Sequence, residues 1–388
     1  MMVQFHFPLF LLVSHLLLVS SQNELWPEGE LNCVKGFRQF NPITQKQVYN
    51  VGVHASAGIE SAKREFNLTF EEYLNEAVGQ RWDPPIEFKM KLTDDSIRDW
   101  IDNEEDIDFM YTDTGIFSCI GIEIGAQAIA TTVARLDARG INYNLDVFAG
   151  TMMVLADNDE ISSIQDLKGK IIGAQAFSDF AGAQAQFYMM QKEGVNPLTD
   201  AKQVIFTGNN EETIQGILDG RWDIGFVRTG QVGRTINPAT GDYVDPSLVK
   251  IISPRIHVMD TGALFPFLHS TPVFPEWPFA AKDTVDHIVS EEVANAMIAL
   301  KEHATVGRLI AECLEAATTA AERSICDTSP PDYFDPHARC DTTRELATLA
   351  FNAGMAGFHD GFRSPRSHFF VRTMQQDGGF IIQDDRGM

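Results

Sequence analysis

Between residues 171 and 229 the chain repeats one local pattern: a short apolar run, a small polar turn, then an amphipathic segment. Ile171-Ile172-Gly173-Ala174 runs through the turn Ala176–Gly182 into AQAQFYMMQKEG. Val204–Phe206 runs through Thr207-Gly208-Asn209-Asn210 into EETIQGILDG, and WDIGFVRT closes the set. Apolar runs of about four to eight residues bounded by turn residues are buried strands, whereas apolar residues at three- and four-residue intervals make a helix face. Strands separated by helices cannot pair as hairpins, so the pattern predicts an α/β chain of mainly parallel sheets covered by helices.

The same grammar holds upstream. VYNVGV at Val48–Val53, IEFKMKL at Ile86–Leu92 and DFMYT at Asp108–Thr112 are predicted strands, and a fourth contains TMMVLA within Val147–Ala156. Thr69-Phe70-Glu71-Glu72 has capping-box form and predicts a helix start running through Ala77. A helix through Trp100 follows the second strand, and another begins after Asp113-Thr114-Gly115. Lys250–Ser253 leads the chain back. Beyond Asp283, long amphipathic helices are predicted at 289–302, 305–323 and 342–356. Several strand ends therefore feed loops that open helices. The carboxyl edge of a parallel sheet is where ligands bind, and helix starts present unpaired amides there, a combination suited to an anion.

Charge sets a boundary on partners. The chain carries 30 Lys+Arg against 54 Asp+Glu, a net charge of −24. Phosphate backbones and anionic membrane surfaces are held by clustered Lys and Arg, so nucleic acid and lipid headgroups are excluded as partners. An apolar fraction of 44% is ample for a packed core. HExxH, GxSxG and Walker motifs are missing, so no enzyme class is indicated, and no cofactor is implied. Asp102–Asp108 is acidic but lacks the glycine that a calcium loop needs at its sixth position, and is expected to be a solvated turn.

Phe7–Val19 is an apolar run of 13 residues without a charged side chain. It is shorter than the roughly 20 residues that span a bilayer. Val19-Ser20-Ser21 before Gln22 fits signal-peptidase cleavage, although only His6 stands where Lys or Arg is usual. Residues 1–21 are thus expected to be a signal peptide, and the mature protein to be soluble and secreted or periplasmic. Five cysteines (Cys33, Cys119, Cys313, Cys326 and Cys340) form no CxxC pair. Cys119, in an apolar stretch, is expected to be a buried free thiol. Cys326 with Cys340, closing a Pro-rich loop, is the favoured disulfide. Asn67-Leu68-Thr69 is a glycosylation sequon should the host glycosylate.

Eight strings carry a family resemblance: TFEEYLNEAVG, IDFMYTDTG, IATTVARLDARG, SSIQDLKGK, FSDFAG, FTGNNEE, WDIGFVRTG and FPFLHSTPVFPEWPFA. In this order, over roughly residues 48–300, they resemble the phosphate/phosphonate ABC-transporter substrate-binding family. They resemble still more its variants used as sensor domains of bacterial histidine kinases, tetrathionate sensors included. The resemblance implies a two-lobed, type 2 periplasmic-binding fold with the ligand clamped between lobes. One lobe would be 48–148 plus 255–388, with a Cys-containing insertion at about 303–345, and the other 149–254. It implies capture of a small phosphonate- or phosphate-like oxyanion by a monomer that serves an ABC permease. The alternatives are an oxyanion-sensing module acting through a membrane receptor and, in a third class, a hydrolase.

Ligand groups implied by the same strings are Tyr111, Thr112, Asp113 and Thr114 in one lobe. In the other they are Ser178, Asp179, Phe180 and Ala181, then Asn209 and Asn210, then Arg228 and Thr229. Asp179 and Ala181 stand where the family has Ser, Thr or Gly, and Asn210 stands where a His is common. Arg228 is either a bidentate ligand clamp or half of a structural ion pair between lobes. Ser178–Ala181 is either an anion cradle or a plain helix cap. His54 and His269 are candidates to line the cleft, or structural histidines. Trp277, Phe279 and Phe274 are expected to be core.

Overall fold

The structure is a computed structural model that describes residues 46–55, 58–93, 106–121, 124–138, 141–317, 344–353 and 361–378. Its strands, in chain order, are β1 Val48–His54, β2 Glu87–Thr93, β3 Phe109–Tyr111, β4 Ala126–Thr132, β5 Ala134–Ala138, β6 Ile141–Leu145 and β7 Val147–Leu155. They continue with β8 Ile171–Ala174, β9 Gln203–Phe206, β10 Ile224–Arg228, β11 Val249–Ile251, β12 Val273–Pro275, β13 Pro278–Lys282 and β14 Phe362–Arg363. One sheet runs β14-β4-β13-β3-β1-β2, the other β11-β7-β10-β8-β9 with β12 also paired to β7, and β5-β6 form a hairpin. Each large sheet is the frame of one lobe, flanked by helices.

Burial explains the strand chemistry. In β1, Tyr49, Val51 and Val53 are buried, and the strand sits between β2 and β3, parallel to both. On β2, at the sheet edge, Phe88 and Met90 face the core while Glu87, Lys89 and Lys91 alternate outward, where charge deters edge pairing. β7 is buried over eight successive residues because strands and helices cover both its faces. Parallel pairing is confined to β1–β3 and β8–β10, the strands whose ends carry the candidate loops. The remaining pairs are antiparallel, so the sheets are mixed and not mainly parallel as expected: β5-β6 is a hairpin, and the others involve segments that cross between the lobes or return along an edge.

Two expected helix boundaries move. Thr69 does not open a helix: the chain is already helical from Ile59, through a π-helical stretch Lys63–Phe70, into Glu71–Ala77. Phe66 and Phe70 drive this extension by packing on Tyr111 and Phe279 at ring distances of 6.0 Å each. Over the described residues, the helices expected at 289–302 and 305–323 are one helix, His287–Ala316, and 318–323 lie outside them. Gly307 does not break it. A β-carbon there would meet the Ala347 carbonyl oxygen at 2.0 Å, so the glycine admits the neighbouring helix Arg344–Ala353. The start of the expected 303–345 insertion is therefore continuous helix.

The chain crosses to the second lobe by β7 and returns between β12 and β13. Helix Phe369–Asp377, which falls in the span expected for the first lobe, packs Val371 and Met374 into the second lobe's core. Asn67 lies half-buried in the π-helical stretch, its amide donating to Glu71 Oε2 at 3.3 Å. Cys119 is a half-buried thiol. The expected signal peptide, Cys33, Cys326 and Cys340 lie outside the described residues. Among the described residues, no helix is long and apolar enough to cross a membrane.

Candidate functional site

At the carboxyl ends of β1 and β3, His54, Thr112, Asp113 and Thr114 come together. Asp113, an implied ligand group, is the N-cap of the helix start at Thr114: its Oδ1 accepts from the Gly115 and Ile116 amides at 2.8 and 3.1 Å. Its other oxygen lies 3.3 Å from His54 Nδ1, and the His54 ring stacks on Trp277 at 5.3 Å. Thr114 Oγ1 donates to the Pro275 carbonyl at 2.7 Å, tying this loop to the returning crossing. Thr112 differs from its neighbours. It is fully buried, and among the described residues its hydroxyl has no hydrogen-bond partner. A native chain rarely buries such a group unless a ligand or water meets it.

Tyr111 is not at the cleft surface. Its ring packs in the first core against Trp277 and Phe279, and its hydroxyl accepts from Thr132 Oγ1 at 3.2 Å. Burial pushes its phenol above the ordinary value. The expectation of a ligand contact thus gives way to a core role, because β3 is covered on that face by the Phe66–Phe70 helix.

In the second lobe, Asp179 turns back on its own helix and accepts from the Gly182 amide, so its charge serves the helix start. Ser178 is exposed, and Phe180 is anchored in the core at 4.8 Å from the Phe274 ring. Asn209 caps the helix Asn210–Leu218 by accepting from Glu212 N at 2.7 Å. Asn210 is the connecting residue: its amide donates to Gln175 Oε1 at 2.7 Å, and its oxygen accepts from Arg228 N at 3.2 Å. Together, Gln175, Asn210 and Arg228 link the ends of β8 and β10.

The ion pair that is one of the two readings of Arg228 is present. Its guanidinium bonds Glu276 and lies 4.8 Å above the Phe148 ring. Glu276 is 2% exposed, and burial pushes its carboxyl up while Arg228 opposes the shift. Arg228 also lines a cavity of 1020 Å³ with Thr151, Tyr143, Tyr243 and Lys250. Thr229 follows β10 and His269 precedes β12. Thr229 Oγ1 accepts from the Ala149 amide at 3.1 Å, and the buried His269 donates from Nδ1 to the Thr271 carbonyl at 2.6 Å. Burial lowers the His269 pKa, keeping the ring neutral for that bond.

The sequence offered one overlooked signal. Glu276 is the sole acidic residue in FPFLHSTPVFPEWPFA, and a lone charge within an apolar run requires a partner. Gln175, Gln184 and Gln375, which prove to bridge elements of the site, carry no comparable signal.

A family model described as the periplasmic substrate-binding protein of a phosphonate ABC transporter matches residues 64–321. No curated protein matches the chain. Among solved structures, XAC2383 from Xanthomonas citri bound to chloride is 13% identical, over 80% of this chain and 99% of that one, with a TM-score of 0.49. PhnD1 from Prochlorococcus marinus in complex with methylphosphonate is 13% identical, over 86% and 99%, with a TM-score of 0.49. A binding protein component of an ABC phosphonate transporter from Pseudomonas aeruginosa is 12% identical, over 72% and 92%, with a TM-score of 0.43. By the extent of the family match, this chain belongs to the phosphonate ABC-transporter periplasmic substrate-binding family.

Proposed function

We propose that the protein captures a small phosphonate- or phosphate-like oxyanion between its lobes and delivers it, as an exported monomer, to an ABC permease. Thr112 carries this reading: a fully buried hydroxyl, unpartnered among the described residues, at the end of a parallel strand and next to a helix start capped by Asp113. The helix start at Phe180 meets this loop at Gly115, and a second helix start lies at Asn210, so neutral donors of both lobes are assigned to one anion. Arg228 anchors the crossing strands through Glu276, leaving amides and hydroxyls to set the ligand's orientation.

Calorimetric titration with methylphosphonate, phosphate, phosphite and sulfate tests this on the parent and Thr112→Val. The substitution keeps the shape and removes a hydroxyl that is costly to bury alone, so the empty protein should gain up to about 1 kcal/mol. Affinity for the bound anion should fall by about tenfold. Equal affinity in both proteins would place the ligand elsewhere.

A further inference from the structure

The family model ends at residue 321, and the described segment 361–378 beyond it adds a third link between the lobes. β14 pairs with β4 at the edge of the first sheet. Arg366 then passes the crossing strands, where its Nε donates to Asp146 Oδ2 at 2.8 Å. Helix Phe369–Asp377 follows, with two faces that hold different lobes. Val371 and Met374, both 0% exposed, belong to the second lobe's core. On the other side, Arg372 donates to the Ser118 carbonyl of the first lobe at 3.1 Å. Gln375, 2% exposed, holds both: its Nε2 donates to the Gly115 carbonyl at 3.3 Å and to Gln184 Oε1 at 2.9 Å.

We propose that this helix is a latch across the cleft, and that Gln375 is a positioning residue for the two ligand loops in the closed state. One buried amide ties the helix start behind Asp113 to Gln184, in the helical segment that follows Asp179. The two attachments differ in composition. To the first lobe the segment makes the carbonyl bonds and a ring contact, His368 on Phe117 at 4.9 Å, whereas Val371 and Met374 are part of the second lobe's apolar core. Hydrogen bonds exchange for water at less cost than two core side chains are exposed. On opening, the helix therefore stays with the second lobe and releases the first. Resting on the cleft as the ligand site, the latch slows ligand exit without touching the ligand.

The test uses the full chain with Gln375→Met, which keeps the side-chain volume, alone and combined with Arg372→Ala. Small-angle scattering of ligand-free protein should show a larger radius of gyration for the double variant than for the parent. With methylphosphonate as the probe, the dissociation rate should rise by about tenfold and the association rate should hold, a split that a general loss of stability would not produce. Superimposable scattering of the ligand-free double variant and the parent would overturn the latch, as would unchanged dissociation in both variants. Failure of the parent to bind methylphosphonate or phosphate would instead overturn the ligand reading, and the ligand-free scattering would still decide the latch.

Discussion

A β-carbon added to Gly115 would stand 2.9 Å from the β-carbon of Phe180 in the facing lobe. The helix start behind Asp113 thus meets the second lobe's turn at a spacing only glycine permits. Phe180 cannot give way easily, because its ring is seated edge-on against Phe274. Gly115→Ala should therefore force the lobes apart at this point. Alanine is the better helix former by about 1 kcal/mol, which offsets part of that strain, so the melting temperature of the empty protein should fall only slightly. Affinity for methylphosphonate should nevertheless drop by about tenfold. Calorimetry beside a thermal melt checks both halves, and undiminished affinity would mean the ligand-bound lobes do not close at Gly115.

Taken alone, the sequence allowed Arg228 to be a clamp whose loss would leave the empty protein's stability unchanged. The pairing with Glu276 predicts the opposite. Arg228→Ala strands a carboxylate that is 2% exposed, and should destabilise the protein by about 3 kcal/mol. Combining Arg228→Met with Glu276→Gln should restore most of that loss. A urea-denaturation double-mutant cycle measures the coupling, and additive effects would contradict a functional pair.

His368 gives stability a pH dependence. Burial holds its pKa down to about 4, and its neutral ring donates from Nδ1 to the Arg366 carbonyl at 3.0 Å, just before the latch helix. The unfolded chain takes up this proton near pH 6.5, the folded chain only near pH 4. The contribution is therefore complete above pH 6.5 and is lost as pH falls toward 4, by about 3 kcal/mol in all. Denaturation of the parent and His368→Gln across pH 7 to 4 should show the parent losing more stability by that amount. Parallel pH profiles would rule out His368 as the source.

Export and oxidation form a separate expectation. N-terminal sequencing of protein recovered from the secreted or periplasmic fraction should begin near Gln22. Non-reducing peptide mapping of the same sample should recover Cys326 joined to Cys340. Full-length chains beginning at Met1, or free thiols at both cysteines, would contradict it.

What the chain alone determined is what short-range physics determines. Alternating and continuous apolar runs marked β1, β2, β8 and β10, because burial of one or both faces is written into neighbouring residues. Asp113 and Asn209 were legible as features of helix starts, since a cap bonds amides two or three positions away. Thr69 failed as a cap because Phe66 and Phe70, drawn to rings on distant strands, kept the preceding turns helical. Only the tertiary structure could supply the ion-pair partner of Arg228, which lies 48 positions away across a crossing strand. It alone also moved Tyr111 into the core and set Gln375 against Gly115, 260 positions distant. Nothing local distinguishes that glutamine from any other; its role comes from a helix whose apolar face belongs to one lobe and whose polar face reaches the other.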